Sequence, residues 1–167
     1  MDPATARARA RFASSAVARL ATADAAGRPH LVPVTFVLDG DALYFAVDRK
    51  PKRHREPHQE QEPRGAHHPQ SLRRLRNIEA NPWVSLLVDH YADDWATLWW
   101  ARADGRAEIL RGSDPARSVA AIERLCAKYP QYAADPPQGP VVAIEVERWS
   151  DWSFAGPGGP GGPGDAR

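Results

Sequence analysis

Apolar and polar residues alternate over the first third of the chain with the two-residue period of β-strands. Between Ala42 and Asp48, Leu43, Phe45 and Val47 share one face while Tyr44, Ala46 and Asp48 share the other. Upstream, Ala16 to Ala23 (AVARLATA) reads as a strand, and Asp24 to Arg28 (DAAGR) supplies Asp and Gly for a turn. His30 to Leu38 (HLVPVTFVL) is apolar almost throughout, the pattern of a strand covered on both faces or lining a barrel. Pro33 has no N–H to give to a ladder, which places this run at an edge or a bulge. Asp39, Gly40 and Asp41 then turn the chain into Ala42, so the pattern predicts three strands in an antiparallel meander within the first fifty residues.

Helical spacing appears in three places. Met1 to Phe12 reads as a short Ala/Arg helix. Leu72, Leu75 and Ile78 stand about one turn apart in LRRLRNIEA, and Asn81-Pro82 ends that helix. Ser113-Asp114-Pro115 opens a third, whose Val119, Ile122, Leu125 and Cys126 make an apolar stripe read as core. Strand patterns resume at Trp83 to Asp89 and fill Trp95 to Arg111 as two strands or one bent strand, with a bend or bulge at Ala103-Asp104-Gly105. A last strand runs from Val141 to Val146, and Trp149 and Trp152 lie beyond it. Together these elements predict a mainly β chain with helices (α+β): an antiparallel barrel of six to seven strands over residues 16–154, after a helix at 1–15. Closure of this kind removes sheet edges and leaves ligands a groove at the rim or at a dimer seam.

A chain of 167 residues fits one domain with a substantial core. Lys and Arg number 22 against 21 Asp and Glu, so no global field draws it to nucleic acid or membrane. Cys126 is the single cysteine, which excludes an intrachain disulfide and a multi-thiolate metal site; a cytoplasmic protein is the expectation. No apolar run approaches the roughly 18 residues of a membrane span, and no hydrophobic signal core follows the first arginines. Residues 155–167, beginning AGPGGPGGPG, are too rich in Gly and Pro to pack and read as a flexible tail without assigned function.

Local charge is more telling. Arg49, Lys50, Lys52, Arg53 and Arg55 put five cations in seven positions directly after a strand, and Pro51 opposes a helix there. Such a run is either a solvated surface or a rigid loop for an anionic, phosphorylated ligand. Arg73, Arg74 and Arg76 form a second set. A nucleic-acid patch made of both sets is disfavoured, since no stacking aromatics interleave the arginines. His54 to Ser71 holds four of the six histidines, but their irregular spacing among prolines reads as a loop, and no metal is expected. Trp99 and Trp100 alternate across a strand, so one faces the core and the other faces solvent, a ligand or a partner chain; we assign Trp99 to the ligand set. His90 and Tyr91 follow a buried strand, and His90 reads as structural. No Ser/His/Asp set or paired carboxylates stand at telling positions, as expected where a cofactor carries the chemistry; no catalytic residue is assigned.

The order LATADAAGRPHLVPVTFVLDGDALYFAVDRKPKR, LRRLRNIEANPWVSLLVDHYADDW, LWWARADGRAEI resembles the flavin and deazaflavin oxidoreductases of split β-barrel fold, the pyridoxamine phosphate oxidase-like superfamily, from roughly Ala16 to Trp152. Within it, DRKPKR, LVDHYADDW and LWW resemble the actinobacterial subgroup that uses coenzyme F420. The resemblance implies a homodimer with the cofactor in a groove between protomers. Val34, Thr35, Val47 and Asp48 would line the ring, and Lys50, Lys52 and Arg53 would hold the phosphate or the glutamate tail. In the wider family the phosphate cation stands at the start of the helix before the Asn-Pro turn, here Arg73 and Arg74, so both sets remain candidates. His54 to Ser71 departs from the pattern as an insertion at residues 54–71. The implied activity is hydride transfer between F420 and a small electron-poor alkene, imine or quinone-like substrate. The alternatives are an FMN-binding oxidase or reductase on the same fold and a non-enzymatic binding module.

Overall fold

In the computed structural model, residues 2–47, 72–111 and 114–155 are described. The strands are β1 (Ala18–Ala23), β2 (Pro29–Val34), β3 (Val37–Asp39), β4 (Ala42–Ala46), β5 (Trp83–His90), β6 (Trp99–Leu110) and β7 (Val141–Ser153). The α-helices are α1 (Pro3–Ser14), α2 (Arg73–Ala80), α3 (Pro115–Lys128) and α4 (Pro130–Ala134). No helix among the described residues is long and apolar enough to cross a membrane.

All seven strands form one antiparallel sheet in the order β2-β1-β5-β6-β7-β4-β3. Strands β2 and β3 are consecutive in the chain, separated by Thr35 and Phe36 alone, yet they occupy opposite edges of the sheet. The three backbone steps from Val34 to Val37 span at most about 10 Å, so the sheet must curl until its edges meet, and this makes the α+β split barrel. The apolar run His30 to Leu38 is therefore two strands rather than one. The predicted three-stranded meander is replaced by two hairpins, β1-β2 and β3-β4, at opposite ends of the sheet order. Pro33 lies on edge strand β2, as its missing donor requires.

Helix α1 covers one end of the barrel. Asp2 caps it by accepting from the N–H groups of Ala4 and Thr5 at 2.9 and 3.1 Å. Its Ala8 and Phe12 are wholly buried, and the Phe12 ring meets Phe36 and Trp149 edge-on at 5.6 and 5.2 Å. Burying a ring of that size contributes about 2–3 kcal/mol. Helix α2 packs against β1 and β6 and adds Leu75 and Ile78 to the core.

Every residue of β4 is buried, because its two faces serve two clusters. Leu43 and Phe45 point into the barrel, whereas Ala42, Tyr44 and Ala46 pack outward against Ala121 and Leu125 of α3. This corrects the stripe expected on α3. Leu125 is buried, Ile122 and Cys126 are half-buried, and Val119 is 57% exposed. The helix meets the sheet along a narrow Ala121–Leu125 line, and Val119 lies off it. Strand β6 is one long strand after a 3₁₀ turn at Trp95–Thr97, with the bulge at Asp104/Gly105. A Cβ on Gly105 would stand 2.1 Å from the Glu145 carbonyl oxygen, which explains the glycine. Strand β7 continues to Ser153, so Trp149 and Trp152 lie in it and not beyond it.

Candidate functional site

The link between β2 and β3 has no ladder to satisfy its backbone, and side chains from the α3–α4 corner take that place. The Tyr129 hydroxyl accepts from the Phe36 N–H at 3.0 Å and lies 2.7 Å from Phe36 O and 2.8 Å from Ala16 O, to one of which it donates. Burial raises its pKa, so this proton is kept. Lys128 donates from Nζ to Ser15 O at 2.8 Å and stands 4.2 Å above the Phe36 ring, and burial lowers its pKa. Thr35 is half-buried, and its Oγ1 lies 2.8 Å from Tyr132 Oη. The Tyr132 ring packs edge-on against Tyr129 at 5.6 Å.

Cations gather on the adjoining flank. Arg73 is exposed and Arg74 half-buried at the start of α2; the Arg74 Nε is buried without a hydrogen-bond partner among the described residues. Burial lowers the Arg74 pKa, against which the nearby Tyr132 acts. His30 is on the inward side of β2 with Val32 and Val34. Its pKa is lowered first by burial and then by the charges of Arg73 and Arg74. One turn along α2, buried Asn77 donates from Nδ2 to Thr22 Oγ1 at 2.9 Å and fixes the helix against β1. The region is therefore rich in positive charge and in hydrogen-bond donors.

Of the residues singled out from the sequence, the fold links Thr35, Arg73 and Arg74 through Tyr132 and His30. Val34 is 7% exposed and Val47 is not exposed at all; both side chains belong to the barrel core. Asp48, Lys50, Lys52 and Arg53, with the histidines of residues 54–71, lie outside the described residues. Trp99 packs against the barrel core, stacks on His90 at 6.3 Å and carries the Arg11 guanidinium 4.8 Å from its ring.

The opposite face of β5 and β6 carries a cavity of about 320 Å³ lined by Leu87, Asp89, Tyr91, Trp100 and Arg102. Asp89 pairs with Arg19 at 3.0 Å, and Arg102 lies 5.9 Å over the Trp100 ring. The adjoining Asp104 accepts from Ser85 at 2.5 Å and from Arg148 at 3.0 Å. Burial alone would raise its pKa; these hydrogen bonds and the charges of Arg102 and Arg148 instead hold it below the usual carboxylate range. Sequence reasoning missed Tyr132, His30 and the cavity position of Trp100. The Trp99-Trp100 alternation signalled that one ring faces away from the core, whereas α4 left no periodic trace.

Residues 4–153 match the family model described as pyridoxamine 5'-phosphate oxidase. No protein of curated function matches the chain. Among solved structures, HutZ, the heme storage protein from Vibrio cholerae, is 16% identical with a TM-score of 0.62, over 90% of this chain and 94% of that one. A FAD-binding protein from Mesorhizobium loti is 17% identical with a TM-score of 0.62, again over 90% and 94%. A conserved hypothetical protein from Mycobacterium tuberculosis is 18% identical with a TM-score of 0.65, over 92% and 85%. At these identities the structural likeness establishes the fold alone.

Proposed function

Because the chain belongs to the pyridoxamine 5'-phosphate oxidase family, we propose that it is an oxidoreductase built around a flavin-type cofactor whose phosphate sits at Arg73 and Arg74. The observation that carries this reading is the buried Arg74 Nε, without a partner among the described residues, beside a His30 whose protonation the same cations oppose. A phosphate oxygen would satisfy that donor and offset the local charge. The residues present therefore fit a phosphorylated cofactor.

The proposed cofactor is coenzyme F420, supported by the DRKPKR, LVDHYADDW and LWW segments and by the cation run Arg49 to Arg55, which suits a polyglutamylated tail. FMN is the second reading, supported by the FAD-binding structural neighbour. When bound, the cofactor supplies hydride transfer. The chain's own residues bind and orient it: Arg73 and Arg74 at the phosphate, Thr35 at the ring edge, the barrel core behind both. The reading includes a homodimer with the groove between protomers, supported by the apolar and aromatic outer face at Leu87 and Trp100 and by exposed Trp83.

Titration of the purified protein with F420 and separately with FMN, followed by Trp fluorescence and cofactor absorbance, tests the proposal. Tight binding of F420 alone supports the deazaflavin reading, and preference for FMN moves the protein to the flavin branch. Binding of neither overturns both. Haem belongs in the same series, given what HutZ stores.

A further inference from the structure

Donors and acceptors around the β2–β3 link do not balance. Thr35 Oγ1 and Tyr132 Oη, 2.8 Å apart, carry two protons between them and use one in their mutual bond. Among the described residues neither hydroxyl has another hydrogen-bond partner, so whichever of the two donates, one O–H is left to give. Arg74 adds a buried Nε–H without an acceptor among the described residues, and its charge lies within electrostatic reach of Tyr132. Among the described residues, the one buried polar atom of this region without a partner is therefore a charged donor, and the two half-buried hydroxyls beside it keep one O–H free to turn toward a ligand. Leaving the buried Arg74 donor unpaired is costly, and the ligand group that answers hydroxyl and guanidinium donors together is an oxyanion.

Tyr132 is held for this task by more than one contact. Its ring rests edge-on against Tyr129, which is itself tied to Phe36, and its carbonyl accepts the Cys126 thiol at 3.2 Å. A hydroxyl fixed in this way binds with little loss of side-chain freedom.

We infer that Tyr132 and Thr35 form, with Arg74, an oxyanion-binding element, through which α4 sets a preference for ligands bearing a phosphate or carboxylate over their neutral counterparts. This rests on the cofactor reading above, since the oxyanion belongs either to the cofactor's phosphate or to an acid group of the substrate.

The test compares wild type with Tyr132→Phe, and with Thr35→Val as the variant that removes the other hydroxyl. Each is titrated with FMN against riboflavin and with F420 against its tail-less deazaflavin alcohol. Inorganic phosphate is added to the cofactor-bound protein, with the thermal midpoint as readout. If the cofactor phosphate is the oxyanion, the variants lose roughly tenfold or more in affinity for the phosphorylated form, as expected for a hydrogen bond to a charged group, and bind the alcohol form as wild type does. If the substrate supplies it, both cofactor forms bind unchanged, and phosphate raises the midpoint of wild type but not of the variants. Identical behaviour on every probe overturns the inference and leaves the cofactor reading standing. If wild type binds no flavin or deazaflavin, that reading falls; phosphate stabilisation of the free protein that is lost in the variants then upholds the oxyanion site, and its absence overturns the site as well.

Discussion

Tyr129→Phe removes one oxygen from the seam of the barrel and leaves the aromatic packing in place. In the native protein that oxygen accepts from the Phe36 N–H at 3.0 Å and donates to one of two carbonyls, Phe36 O at 2.7 Å or Ala16 O at 2.8 Å. Phe36 is wholly buried, and its link position gives it no strand partner. The substitution therefore orphans one buried donor and one buried acceptor. At roughly 1–3 kcal/mol for each unsatisfied group, the expected loss is about 3 kcal/mol. Against a typical total of about 5–15 kcal/mol this is a large fraction, and for a chain of this length it lowers the thermal midpoint by roughly 6–12 °C. Urea unfolding monitored by Trp fluorescence gives the free energy, and the slope reports whether the native state is still compact. The link also carries Thr35, so cofactor affinity should fall with stability. A loss below about 0.5 kcal/mol, with unaltered binding, would refute the claim that this hydroxyl closes the seam.

Three further outcomes follow from the same geometry. Since Arg73 and Arg74 help to hold the His30 pKa down, an anion bound there should raise it. Binding should then tighten as pH falls through the His30 titration, and imidazole NMR with and without FMN or phosphate would expose an unmoved pKa as a failure of the site. The Asp104 pKa is lowered, so its contribution to stability is present above the ordinary carboxylate value near 4 and is lost as pH falls through the folded-state value. Asp104→Asn should thus flatten the acid limb of a plot of urea midpoint against pH, and parallel limbs would count against the Ser85–Asp104–Arg148 network. Gly105→Ala puts a methyl 2.1 Å from Glu145 O, on backbone that cannot rotate away. A destabilisation of about 1–3 kcal/mol is expected from such overpacking, and wild-type stability would show that the bulge adapts freely.

Much of this protein is determined locally and is legible in its sequence. Alternation placed β1, β4 and β5, because a side chain's face in a strand follows from its parity alone. Asn81-Pro82 stopped α2, Gly105 marked the bulge and Pro33 the edge, each through a backbone restriction that holds in any fold. The candidate cations Arg73 and Arg74 were equally visible, as was their place at a helix start. What the sequence left undecided needed distant partners. A run apolar on both faces, such as His30 to Leu38, carries no parity, so only pairing with β1 on one edge and β4 on the other could cut it at Thr35-Phe36. Parity told that Trp99 and Trp100 face opposite ways, but register against β5 and β7 decided that Trp100 lines the cavity. The width of the α3 contact, which leaves Val119 in solvent, depended on the strands beneath it. Tyr132 meets Thr35 across 97 positions of chain, through a five-residue helix too short to show a period. Local sterics fix which elements form, whereas the site arises where the curled sheet brings two edges and a corner together, and no short stretch of sequence encodes that meeting.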